Sequence, residues 1–325
     1  MTKDAISYDQ MRDPQARPRY TGIPTFFRAP AAENLAEADI GVIGVPFDGG
    51  VTNRSGTRHG PRAVRDQSSL LRRMNAATGI APFAATRVRD LGDCWIERPY
   101  ELQSAHDEIV AYYRQVAAAG VVPLSVGGDH SISLPILRAV AASGPVGMIH
   151  VDAHCDTGGD YMGSSFHHGA PFSRAVEEGL LDPRRVIQIG IRGTTNDPEM
   201  SGPHSRSLGM RVIGIDEFAD RGVAYAIEEA RRVAGSGPTY LTYDIDSLDP
   251  SEAPGTGTPE AGGITMREAL RLLRGLRGLD FIGADLVEVA PPFDVGGLTA
   301  FNGASILFEL LCLLSEARAA RAHQA

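Results

Sequence analysis

Apolar runs punctuate the chain at short intervals: IGVIGV (40–45), VVPLSV (121–126), VGMIHV (146–151), RVIQIG (185–190), RVIGI (211–215), TYLTYD (239–244) and FIGADLVEV (281–289). They are rich in β-branched residues and too continuous to be one-sided strands, so they read as strands covered on both faces. Between them lie stretches of helical length and composition at 101–119, 134–142, 173–179, 224–233, 266–276 and 299–320. Several of these begin after Ser, Thr or Asp and stop at Gly, as helix ends do. Repeated strand–helix units predict a single α/β domain, a three-layer α/β/α sandwich around a mostly parallel, doubly wound sheet. No repeat or low-complexity linker divides the chain. The first 35 residues, with RPRYTGIPTFFRAP, are Pro-rich and aromatic and read as an N-terminal arm, either loose or packed on a neighbouring subunit. Residues 36–325 form the folded domain.

Composition narrows the function more than the fold. The 325 residues carry a net charge of −9, which repels polyanions and argues against nucleic acid or an anionic membrane as partner. The start of the chain lacks the apolar core of a signal peptide, and no run of eighteen apolar residues occurs, so a cytoplasmic protein acting on a small molecule is expected. Cys94, Cys155 and Cys312 are odd in number and widely spaced, fitting neither a zinc template nor a disulfide framework. They read as reduced thiols.

In an open parallel sheet, ligands gather beyond the carboxyl ends of the strands. Three of the runs end there in acidic and imidazole side chains: Gly128-Asp129-His130 after VVPLSVG, Asp152-Ala153-His154-Cys155-Asp156 after VGMIHV, and Asp244-Ile245-Asp246 after TYLTY. Alternate residues of extended chain share a face, so Asp152, His154 and Asp156 project together, as do Asp244 and Asp246. Four carboxylates converging with His130 and His154 would repel unless cations lay among them. Six ligands with four carboxylates are too many for one catalytic zinc and suit two ions bridged by shared carboxylates. Oxygen and imidazole ligation without thiolate suits Mn²⁺ best, with Ni²⁺, Co²⁺ or Fe²⁺ as alternatives.

These segments, with SGTRHGPRAVR before them and PGTGTPEAGG, ADLVEVAPPFD and a His-His-Gly element besides, resemble the ureohydrolase family of arginase, agmatinase and the guanidino-acid hydrolases, from about Ile40 to Leu314. The wording is nearest to the guanidinopropionase, guanidinobutyrase and proclavaminate amidinohydrolase branches. The resemblance implies the arginase-like form of the fold and divides the ligands. One ion would sit on His130, Asp152, Asp156 and Asp244, the other on Asp152, His154, Asp244 and Asp246, with Asp152 and Asp244 bridging. It also implies that a hydroxide between the ions attacks a guanidinium carbon and releases urea and an amine, with Asp156 carrying the proton to the leaving nitrogen. His168 matches the family's proton shuttle, and Glu288 its clamp on the substrate guanidinium.

Around that core several roles stay open. Arg192 and Asn196, after another strand, are candidates to reach the substrate tail. Asp129 and Asp249 read as residues that orient ligands or cap turns, Asp285 as a support for Glu288 or a purely structural group, and His167 as a companion of His168 or an exposed loop residue. Cys155 should point away from the Asp-His-Asp face and pack. The asparagine with which arginases bind an α-amino acid is missing from Thr157-Gly158-Gly159-Asp160, so L-arginine is a poor substrate. A short guanidino acid, 3-guanidinopropionate or 4-guanidinobutyrate, leads. Guanidine, an alkylated guanidine or agmatine competes, because the 158–167 loop holds no Lys or Arg. Related C–N hydrolysis of a formimino group and an idle metal-binding partner subunit are weaker alternatives. Family members are commonly trimers or hexamers, which implies a homo-oligomer.

Overall fold

Uninterrupted apolar strands demand cover on both faces, and the structure supplies it. The computed structural model describes residues 18–32 and 34–322. Its eight strands are β1 (Ile40–Val45), β2 (Val88–Asp93), β3 (Val122–Gly127), β4 (Val146–Val151), β5 (Leu181–Ile191), β6 (Arg211–Gly214), β7 (Thr239–Asp244) and β8 (Phe281–Val287). They form one sheet in the order β2-β1-β3-β8-β7-β4-β5-β6, with every pairing parallel. Helices Leu102–Ala118, Ser133–Val140 and Pro171–Glu177 enclose one apolar core. Helices Gly60–Gln67, Ile215–Ala234, Met266–Gly275 and Leu298–Ala322 enclose the other. The sandwich is the three-layer arrangement expected.

Helix Met266–Gly275 starts at a capping box in which Thr265 accepts from the Glu268 N–H and Glu268 reaches back to the Thr265 N–H. Such a cap contributes about 1 kcal/mol. Helix Leu298–Ala322 is long and apolar enough to cross a bilayer, but 83% of its apolar window is buried against the sheet. It is the central helix of one core.

Three details differ from the sequence reading. β2 was not anticipated, because Arg89, Asp90 and Asp93 interrupt its apolar positions; it lies at the sheet edge, where one flank is half exposed. The helix expected over 224–233 extends back to Ile215, through a break at Gly222 with φ of 79°. The stretch around Phe26 is no free arm: Phe26 and Phe27 are fully buried in the chain's own core, and Ala31 bridges Asp90 of β2. Residues 1–17 and 33 of the expected arm lie outside the described residues.

For the site, the sheet order matters most. β3, β8, β7 and β4 lie side by side at its centre, and their carboxyl ends deliver the three acidic clusters and Glu288 to one place. Gly128 permits this. A Cβ there would stand 2.1 Å from the Phe47 carbonyl oxygen, so only glycine lets the turn after β3 cross the turn after β1.

Candidate metal centre

The three clusters converge. His130 Nδ1 lies 3.1 Å from Asp152 Oδ2, 2.9 Å from Asp156 Oδ2 and 3.2 Å from Asp244 Oδ2. His154 Nδ1 lies 3.2 Å from Asp246 Oδ2 and 3.5 Å from Asp152 Oδ1. Asp152 thus belongs to both groups, with one oxygen turned to each. Asp244 Oδ1 accepts the Asp246 N–H at 2.8 Å, which fixes the two carboxylates relative to each other.

The donor set fits cations. His130 Nδ1 is buried without a directed hydrogen bond while three carboxylate oxygens crowd it, an arrangement in which one divalent ion can meet all four atoms, whereas a proton on Nδ1 points to one oxygen at a time. Its ring orientation is set from behind. Thr242 Oγ1 donates its only hydrogen to Asp285 Oδ1 at 2.5 Å, so at 2.7 Å it accepts from His130 Nε2–H and leaves Nδ1 bare. Asp285 also accepts from Ser133 Oγ at 2.7 Å and Tyr240 Oη at 2.8 Å. Asp285 therefore backs His130, which is the structural role of the two that the sequence left open for it. Its side chain points into the sheet's hydroxyl groups.

Without ions the charges hold protons. Burial alone would lower the affinity of His130 for a proton, but Asp152, Asp156 and Asp244 outweigh it and raise its pKa well above the ordinary value. His154 behaves likewise through Asp246 and Asp152. Burial, then the charges of Asp246 and Asp152, pushes Asp244 well above the carboxylate range. Groups with raised pKa stabilise the folded chain fully below their unfolded values and lose that contribution as pH rises through the folded values. Chelator-stripped protein should accordingly melt lower at pH 9 than at pH 6, by about 5 °C or more, whereas protein loaded with Mn²⁺ should show no such fall. Thermal scans at both pH values check this, and a stripped protein that gains stability with pH would contradict it.

Glu288 follows β8 with φ of 65°, and Asp156 has φ of 50°, in a region that costs non-glycine residues about 1 kcal/mol or more. Backbone bonds from Glu288 N to Gly128 O and from Phe172 N to Asp156 O hold them there. Glu288 Oε1 accepts the His130 N–H and faces His168 Nδ1, both at 2.9 Å. Glu288 Oε2 is buried and has no hydrogen-bond partner among the described residues. His168 is buried, with Nε2 2.8 Å from Thr52 Oγ1. Burial would lower its pKa, but Glu288 and then Asp129 raise it to about 9.

A cavity of about 800 Å³ joins these groups, lined among others by Thr52, His154, Asp156, His168, Asp244 and Glu288. Arg192 lines it too but is not free. Its guanidinium donates to the carbonyls of Gly190, Asp246, Ser247, Leu248, Glu260 and Ala261. This corrects the expectation that Arg192 meets a substrate tail: its donors are committed to backbone carbonyls of β5 and of the segment after β7. Arg192→Met should cost about 2–4 kcal/mol in urea unfolding and shift KM alike for substrates with and without a carboxylate. A loss confined to carboxylate substrates would restore the tail role.

Asn196 lines the exposed rim of the cavity. His167 accepts the Gly169 N–H at 3.2 Å and places Nε2 2.8 Å from Gly159 O, which braces the 158–167 loop. Cys155 turns into a buried cluster with Ile191 and Val212, and burial pushes its thiol up to about 12, so it packs. Asp249 caps a turn through Ser251, Gly262 and Gly263. Asp129 holds Gly50 N and Ser131 N, tying the Thr52 loop to the His130 turn.

The sequence reading missed His150, Gln188, Thr52 and Thr242. The signal for two of them was present: His150 stands two residues before Asp152, and Thr242 two before Asp244, so each continues the same alternation back into its strand.

Known proteins resemble this chain over nearly its whole length. Guanidinopropionase of Pseudomonas aeruginosa is 54% identical over 313 residues, covering 96% of this chain and 98% of that one. The solved structure of proclavaminate amidino hydrolase from Streptomyces clavuligerus superposes with a TM-score of 0.88 at 39% identity, covering 93% of this chain and all of the other. That of Trypanosoma cruzi formiminoglutamase with Mn²⁺ superposes with a TM-score of 0.78 at 25% identity, covering 90% and 98%. Residues 38–312 match the arginase family, and with the paired histidine–carboxylate groups at the centre of the sheet this places the chain in that family of binuclear-metal hydrolases.

Proposed function

We propose that the chain hydrolyses a short guanidino carboxylic acid, 3-guanidinopropionate or 4-guanidinobutyrate, to urea and the corresponding amino acid. The observation that carries this reading is Glu288 Oε2, a buried carboxylate oxygen without a partner among the described residues, on the wall of the cavity that holds the histidine–carboxylate groups. A planar guanidinium presents N–H groups in the geometry a carboxylate accepts. The relative named guanidinopropionase supports the choice of substrate class.

The ions are assigned to His130, Asp152, Asp156 and Asp244, and to Asp152, His154, Asp244 and Asp246. Bound there, they supply a water acidic enough to react near neutral pH. Mn²⁺ is preferred to Ni²⁺ because the donors are oxygen and imidazole, and because formiminoglutamase carries Mn²⁺. Glu288 orients the guanidinium so that its carbon faces Asp156. Oxygen from water joins that carbon, the bond from carbon to the tail nitrogen breaks, Asp156 passes one proton of the water to the leaving nitrogen, and the second leaves the oxygen as the urea carbonyl forms and is taken up by the released amine. His168, bonded to Thr52 at the cavity wall, exchanges protons with solvent and yields Glu288 to the incoming cation.

One observation favours a second reading. Arg192 is the only Lys or Arg among the described lining residues, and its donors are spent. A carboxylate tail must then bind neutral donors such as Thr194 and Asn196, whereas guanidine, an alkylated guanidine or agmatine needs no cation. Buried, unpaired Cys94, Cys155 and Cys312 support a reducing, cytoplasmic setting. Exposed Trp95 and Tyr100 offer apolar surface for a homo-oligomer, trimeric or hexameric, which gel filtration tests.

Urea release measured across guanidine, guanidinoacetate, 3-guanidinopropionate, 4-guanidinobutyrate, agmatine and arginine, after Mn²⁺ or Ni²⁺ loading, decides between these readings. Preference for a guanidino acid is expected. Preference for guanidine or agmatine selects the second reading, and no urea from any substrate removes both.

A further inference from the structure

Beneath the metal centre runs a row of buried polar side chains that no single strand reveals. Strand register aligns Gln188 of β5 with His150 of β4, His150 with Thr242 of β7, Thr242 with Asp285 of β8, and Asp285 with Ser125 of β3. All five are fully buried. Residues in register point to one face, so the row forms a continuous polar layer across the middle of the sheet. Its Asp285–Thr242 end orients His130. The other end is made of His150 and Gln188.

The hydrogen positions at that end follow from the partners. The Gln188 amide nitrogen lies 2.6 Å from the Cys155 carbonyl oxygen, so this side of the amide must be NH₂; the reverse orientation would set oxygen against oxygen. The same nitrogen lies 3.1 Å from His150 Nδ1, which therefore accepts. A neutral imidazole that accepts at Nδ1 carries its hydrogen on Nε2, and His150 Nε2 lies 2.6 Å from Asp152 Oδ2. His150 stands close enough to His130, Asp152 and Asp156 to be a metal ligand by distance. Its Nε2 lone pair, however, is taken by hydrogen, and its Nδ1 faces the amide. Phe172 packs 4.6 Å from the ring centroid and keeps it in place.

Asp152 is the carboxylate shared by both groups. Its Oδ1 accepts the His154 N–H at 2.6 Å and its Oδ2 accepts from His150, so each oxygen is held by one hydrogen bond with acceptor capacity left over. The Gln188 bond to Cys155 also restrains the backbone just before Asp156, where φ is 50°.

We propose that His150 is a positioning residue for the shared carboxylate Asp152, that Gln188 holds it in the Nε2–H form, and that the pair sets how tightly the two ions bind. This rests on the binuclear reading of the site.

The test uses full-length, chelator-stripped protein titrated with Mn²⁺ by calorimetry, with electron paramagnetic resonance of the bound ions and melting of the metal-free form. Wild type should bind two ions. His150→Phe keeps ring shape without the donor and should weaken at least one ion by about 10–100-fold. His150→Gln restores an N–H near the Nε2 position and should recover most of the affinity and the spectrum of paired ions. Gln188→Leu should shift affinity in the same direction as His150→Phe. Two ions bound by His150→Phe as tightly as by wild type would overturn the proposal. A loss that His150→Gln fails to restore would overturn it too, since the ring would then be a ligand. Should His150→Phe not fold, Gln188→Leu decides alone: weaker binding supports the role and wild-type binding overturns it. A wild-type chain that binds fewer than two ions would overturn the metal centre and this role with it.

Discussion

Asp244→Asn should lower urea formation by about 10³-fold or more while leaving the metal-free protein at least as stable as wild type. The two halves of this expectation have one cause. Asp244 is buried, accepts the Asp246 N–H through Oδ1 and turns Oδ2 toward His130. Asparagine keeps the volume and can still accept from Asp246, so local structure survives. It supplies no charge to a shared cation, and losing an ion removes several kcal/mol of transition-state stabilisation. In the metal-free state the same substitution removes a carboxyl group that burial and the neighbouring charges of Asp246 and Asp152 disfavour as an anion. Relieving such a buried charge is neutral or stabilises by about 1–3 kcal/mol. Melting with and without chelator, beside a urea assay, reads both. Wild-type activity in Asp244→Asn would remove this residue from the centre.

Glu288→Gln should lower kcat/KM by about 10²–10³-fold with both ions still bound, consistent with the loss of charge-assisted hydrogen bonds together worth about 3–4 kcal/mol. The amide oxygen can replace Oε1 toward the His130 N–H, so the turn that presents His130 stays in place. What disappears is the negative charge, and the free Oε2 can become an NH₂ group that repels a guanidinium. His168 supplies an internal control. Glu288 is the largest of the influences that raise its pKa to about 9. In Glu288→Gln that pKa should fall toward the ordinary histidine value, which nuclear magnetic resonance titration of the ring can follow. Unchanged kcat/KM would mean that the guanidinium is held elsewhere, and loss of metal would make Glu288 part of the metal support.

The sequence exposed the centre because its chemistry is local. Asp152, His154 and Asp156 announce themselves through alternation on one extended segment, and Asp244 with Asp246 repeat the pattern. The strands that carry them are apolar on both faces, which makes their ends easy to find. Roles that depend on which strands become neighbours were hidden. Ser125, His150, Gln188, Thr242 and Asp285 are each a lone polar residue in its own strand, and only register turns them into a layer. For Asp285, proximity in the chain left support of Glu288 and a purely structural role both open, and the neighbours that decide between them, Ser133, Tyr240 and Thr242, lie on other elements. Arg192 sits where a tail-binding residue would, but its position along the chain says nothing of the carbonyls that surround it. The β2 strand escaped notice for a related reason: an edge strand tolerates charge on its open flank.

The central claim is that two ions share Asp152 and Asp244. Diffraction at the manganese absorption edge, from crystals of the wild-type chain grown with Mn²⁺, tests it most directly. The account predicts two anomalous peaks, one among His130, Asp152, Asp156 and Asp244 and one among Asp152, His154, Asp244 and Asp246. A single peak, or a peak ligated by His150, would contradict it.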